Sequence, residues 1–110
     1  MDRYTLEEVT IIAGDFLSLE FDVHDEARGG SASLDGYTVS CVISPFGQND
    51  FIVIDQIGVK TGGGKFTVTI PSDETINLCG KFVYQPVLKA TSTHQYRPAQ
   101  GMLTILPANI

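Results

Sequence analysis

A strict two-residue alternation of apolar and polar side chains limits most what this chain can fold into. Leu17, Leu19, Phe21 and Val23 are apolar, while Ser18, Glu20 and Asp22 between them are polar or charged. Successive strand side chains point to opposite faces, so this pattern predicts a half-buried strand. The same period places Tyr37, Val39, Cys41 and Ile43 inward. It does so again for Phe66, Val68 and Ile70, and for Phe82, Tyr84, Pro86 and Leu88 set against Val83, Gln85 and Val87. A last run offers Met102 or Leu103 together with Ile105. "VTIIAG" and "FIVIDQIGV" are apolar and β-branched with looser alternation, and read as two further strands.

Turn signals separate these runs: "ARGGSAS", "SPFGQND", "KTGGGK", "PSDETINLCG", "TSTHQYRPAQ" and the terminal "LPANI". Strands thus recur roughly every 8 to 15 residues with no sustained helical period, which predicts an all-β, antiparallel sandwich of about seven strands. "TLEEV" and "SDETINL" each have room for one helical turn, the second with Ser72 or Asp73 as N-cap. Gly62, Gly63 and Gly64 suit a hairpin connection. Gly36 and Gly80 precede strands where the chain must turn sharply. Pro86 cannot donate to a ladder, so a break in pairing is expected there. Residues 1–110 read as one domain, long enough to fold without metals or disulfides.

The charge balance excludes whole classes of partner. Net charge is −6 and the pI about 4.6. A nucleic-acid binder needs a basic face to displace counterions from phosphate, and docking on anionic lipid needs the same sign. Neither nucleic acid nor membrane is therefore an expected partner. The N-terminus has no basic start followed by an apolar run, so no signal peptide is read and folding in a cytoplasm is expected. That compartment favours free thiols over a Cys41–Cys79 disulfide, and Cys41 reads as a small core residue. Without a Cys-x-x-Cys pair, a zinc site is not expected.

The densest cluster of chemically capable residues is "FDVHDEARGG", residues 21–30. Glu20, Asp22 and His24 share one strand face and could offer ligands to a divalent metal. Alternation, however, puts them opposite Leu19, Phe21 and Val23, on the face a two-layer sandwich gives to solvent. The solvated-face reading is preferred, with Asp22 and His24 kept as metal candidates and no cofactor expected. "TGGGKFT" has a lysine after glycines but lacks P-loop spacing and leads into a strand, so it reads as a turn. No Gly-x-Ser-x-Gly elbow is present, and the carboxylates are too scattered to infer a catalytic pair. For binding, "STHQYRPAQG" collects His94, Tyr96 and Arg97 in one loop, and "SPFGQNDF" presents Phe46 beside Gly47. These residue types are favoured at protein interfaces.

The order of the segments resembles the small immunoglobulin-like domains of phage and prophage tail proteins, closest to the N-terminal domain of baseplate upper proteins. Five pieces carry the likeness: "VTIIAGDFLSLEFDV", "SLDGYTVSCVISP", "KFTVTIPSDETINL" after a Gly-rich turn, "CGKFVYQPVLKA" and the closing "GMLTILP". They span about Val9 to Pro107 and are specific as an ordered set. The chain departs from the pattern at Pro86 and in the long loop before Tyr37. Tyr84 matches a strand tyrosine that can bond to backbone at a sandwich corner. The resemblance implies an immunoglobulin-like sandwich and a non-enzymatic virion structural protein of the tail, baseplate or neck. It would be made in the host cytoplasm and would act through other phage structural proteins and self-association; the loop residues Phe46, His94, Tyr96 and Arg97, singled out by their types and placement, are the expected contacts. The alternatives are a carbohydrate- or surface-ligand-binding sandwich and a metal-dependent enzyme at Asp22 and His24.

Overall fold

The computed structural model describes residues 4–25, 30–31, 36–48, 51–90, 95–96 and 99–108. The first half contributes β1 (Tyr4–Thr5), β2 (Val9–Ile12), β3 (Leu17–Asp22), β4 (His24–Asp25), β5 (Gly30–Ser31) and β6 (Thr38–Pro45). The second contributes β7 (Ile54–Ile57), β8 (Val59–Gly62), β9 (Lys65–Ile70), the short helix α1 (Ser72–Thr75), β10 (Gly80–Lys89), β11 (Gln95–Tyr96) and β12 (Ala99–Leu106). The larger sheet runs β1-β12-β10-β6-β7, with β2 also on β12 and β11 on β10; the smaller runs β3-β9-β8. β4 and β5 pair only with each other. The protein is an all-β sandwich, as the alternation predicts.

Inward side chains of both sheets make one core. β3 and β9 supply Leu17, Leu19, Phe21, Phe66, Val68 and Ile70, while the larger sheet supplies Val39, Cys41, Ile43, Phe82, Tyr84, Leu88, Leu103 and Ile105. Burying each large apolar side chain is worth about 1.5–3 kcal/mol, so this set supplies the main drive to fold. Phe21 links the layers: its ring centroid lies 5.1 Å from that of Phe66 in its own sheet and 6.3 Å from that of Tyr84 in the other.

Strand registers define two ends. β2 and β12 run parallel and finish together at Ile12 and Leu106; β6 finishes at the same end, where β10 begins. Leu17 of β3 and Ile70 of β9 are paired there as well. We call this the upper end. The β8–β9 hairpin and the pairing of Leu88 with Tyr96 lie at the lower end. Gly62, Gly63 and Gly64 all take positive φ in that hairpin, the conformation side chains resist.

Both N-terminal strands are parallel to β12, β1 at Ala99–Gln100 and β2 at Leu103–Leu106. This is a departure from the all-antiparallel expectation. Between them Leu6 N–H still bonds Gln100 C=O at 2.8 Å, and the Glu7 carbonyl accepts the Tyr84 hydroxyl. Tyr84 is thus both core and backbone anchor. Its ring lies over Gly101, its cross-strand partner, where a Cβ would come within 2.5–2.7 Å of ring atoms.

The run "FIVIDQIGV" is two strands. β7 is the edge of the larger sheet and β8 the edge of the smaller, with Gly58 as the sole residue between them. Gly58 N–H bonds Val39 C=O at 2.8 Å, and a Cβ there would sit 3.0–3.2 Å from Val68 Cγ2, Phe66 Cδ2 and the Thr67 carbonyl. The crossing therefore passes close over β9.

The structure corrects other expectations. "TLEEV" holds no helical turn, because Tyr4–Thr5 joins the sheet instead. α1 is capped by Pro71 in extended conformation without a side-chain cap, so neither Ser72 nor Asp73 is the N-cap. Tyr37 precedes β6 and is exposed rather than inward. Val83, Gln85 and Val87 lie on the face opposite the core yet are buried, as are Val42 and Ser44 beside them. The Pro86 break does occur. β12 pairs with β10 as far as Tyr84 and β11 takes over at Leu88, while β6 stays paired across from Pro86 at Cys41. Part of "TSTHQYRPAQ" is therefore strand, as β11.

Candidate interaction site

Chemically reactive groups give little to build on. Burial pushes the Cys41 thiol up to about 12, so it holds its proton at neutral pH and is no nucleophile. Cys79 is a free thiol on the surface. Asp22 is exposed and sits across from Lys65 in the β3–β9 ladder; the His24 backbone lies in β4, and its side chain is outside the described part. Among the described residues no three His, Cys, Asp or Glu side chains gather as metal ligands.

Of the four contact candidates, Phe46 and Tyr96 are separated by the length of the sandwich. Phe46 follows β6 at the upper end, held by its N–H to the Lys81 carbonyl at 3.0 Å, and is 62% exposed. The Tyr96 backbone is paired with Leu88 at the lower end. His94 and Arg97 lie outside the described residues. Of the four, only Phe46 has a described side chain.

Phe46 instead belongs to an apolar upper end. Backbone bonds tie it to the segment of Phe51 and Ile52: Gln48 N–H bonds Pro45 C=O and Phe51 N–H bonds Gln48 C=O, each at 2.9 Å. Phe51 and Ile52 are exposed as well. Across the same end, Ile12 and Leu106 are parallel partners on adjacent strands, both about half exposed.

Phe16 and Ile76 complete the end, and Thr75 positions them. The Thr75 side chain is fully buried; its hydroxyl accepts the Gly14 N–H at 3.1 Å and donates to the Asp15 carbonyl at 2.8 Å. That joins α1 to the β2–β3 turn and brings Ile76 within 3.8 Å of where a Gly14 Cβ would stand. Gly14, at φ +95, makes the turn. Phe16, two residues after Gly14, is 66% exposed. Soluble monomers rarely leave large apolar side chains grouped in water, and such groups mark interaction surfaces. In sequence these residues lie in separate turns, and only Phe46 was identifiable as an exposed loop aromatic.

No family model matches the chain, and no curated protein matches it in sequence. Among the described residues no helix is long and apolar enough to cross a membrane.

Proposed function

We propose that the protein is a non-enzymatic virion structural component, of the tail, baseplate or neck, that works by docking on other protein subunits. The observation that carries this reading is the group of exposed apolar side chains at the upper end, around Phe16, Phe46, Phe51 and Ile76. A rigid sandwich presenting them from short tied turns suits a permanent contact better than a reaction. The strand order supports an immunoglobulin-like reading, with β2 on β12 and β12-β10-β6-β7 facing β3-β9-β8. So do the ordered segments from Val9 to Pro107 that resemble phage tail domains.

Co-expression with the products of the genes flanking its own, followed by size exclusion with light scattering, tests the proposal. A stable complex with one of them, or a closed oligomer, is expected. A strict monomer that binds none of them overturns it.

A further inference from the structure

We infer that the upper end receives a heterologous protein segment whose apolar side chains are flanked by lysine or arginine, rather than a second copy of this chain. This rests on the assembly reading only in taking the partner to be a protein. The charge at the end chooses the occupant. Asp15 adjoins Phe16 in the β2–β3 turn, and Asp73 and Glu74 lie in α1, three and two residues before Ile76; all three are exposed. No described cation forms an ion pair with any of them. Lys81 is the one described cation near this end, since Lys65 and Lys89 lie toward the lower end and Lys60 on the β8 edge.

Two copies joined through this end would bring three carboxylates of one against three of the other as the apolar groups met. Like charges at a closing interface are penalised, and this chain already carries −6. A segment with basic residues around an apolar centre meets both features at once. The apolar side chains would set affinity, and the carboxylates would set choice of partner and on-rate.

The probe is a short synthetic peptide of leucine and lysine, titrated into the isotope-labelled full chain and followed by amide chemical shifts, with its leucine–glutamate counterpart alongside. The basic peptide is expected to shift amides in residues 12–16, 46–48, 51–53 and 72–81, and the acidic one to leave them in place. Phe16→Ser with Phe46→Ser should weaken binding about tenfold or more, as for central apolar anchors. Asp73→Asn with Glu74→Gln should weaken it about threefold and reduce its salt dependence. Ile57→Thr with Val59→Thr, which changes exposed residues beside the β7–β8 crossing, should leave it unchanged.

Equal binding of the acidic peptide overturns the inference. So do shifts spread over the β3 outer face, or a self-association that Phe16→Ser with Phe46→Ser abolishes. A complex with a flanking gene product that survives the Phe16 and Phe46 substitutions also overturns it, while leaving the assembly reading intact. If the peptide maps to this end but no flanking product binds, the assembly reading falls and this one stands.

Discussion

Gly101 lacks a side chain at the place where the Tyr84 ring lies. A methyl there would press within 2.5–2.7 Å of the ring and its hydroxyl oxygen, and Tyr84 is held by Phe21 packed near it and by its hydroxyl bond to the Glu7 carbonyl. Gly101→Ala is expected to destabilise the fold by about 1–3 kcal/mol in urea unfolding, the usual cost of overpacking; an unchanged midpoint would mean that the ring yields freely. Cys41 makes a prediction of another kind. The unfolded thiol titrates at its ordinary 9.0 and the folded one only at about 12. Above pH 9 the unfolded chain therefore binds fewer protons than the folded one, so stability falls as pH rises toward 12. The slope is about 1.4 kcal/mol per pH unit for one such group, and the contribution is intact below pH 9. Tyr84, also raised by burial, adds to the loss above its ordinary 10.0. Melting curves between about pH 8 and 11 should show a shallower decline for Cys41→Ala than for the parent chain, and equal slopes would refute the assignment.

α1 shows at the scale of an element what a single hydroxyl can hold. Four residues cannot sustain a helix alone. Here the Thr75 hydroxyl ties the helix to the β2–β3 turn and partners the Gly14 N–H. Thr75→Val keeps the shape but orphans that N–H, so a loss of about 1–3 kcal/mol is expected, while Thr75→Ser should stay within about 1 kcal/mol of the parent. Denaturant midpoints of the three proteins decide it. The elements also show how far the sequence could be read. Leu17 to Asp22 and Phe66 to Ile70 alternate cleanly because one face meets core and the other water, and their strands match the pattern residue by residue. β10 misleads because Val83, Gln85 and Val87 are buried on the face away from the core, so its alternation does not separate core from water. "FIVIDQIGV" hides a change of sheet, since Gly58 crosses without any turn signature beyond the glycine itself. The exposed apolar end was mostly illegible: Phe16, Phe46 and Ile76 come to one end of the sandwich only once three distant turns are brought there. Thr75, one polar residue in a helical turn, gave no sign that it would join two of them.

Apart from the small β4–β5 ladder, the described residues form two unequal packed sheets around one core, stitched by Phe21 between the layers and by the continuous β7–β8 crossing. A sandwich joined in this way should unfold in one step. Amide exchange in β9 and β10, one from each sheet, is expected to report the same opening free energy under conditions where global unfolding dominates. Distinct values would mean that the sheets part independently. The pairing of β2 and β10 with β12 also bears on synthesis. A ribosome releases the chain from its N-terminus, yet the strand that both must hydrogen-bond is residues 99–106. Until that segment clears the exit tunnel, Tyr84 has no Gly101 beneath its ring and β2 has no neighbour in the larger sheet. A nascent chain stalled with residue 98 just outside the tunnel should remain protease-sensitive, and one advanced past residue 106 should become resistant. Folding of this sandwich therefore waits for nearly the whole described chain to be made.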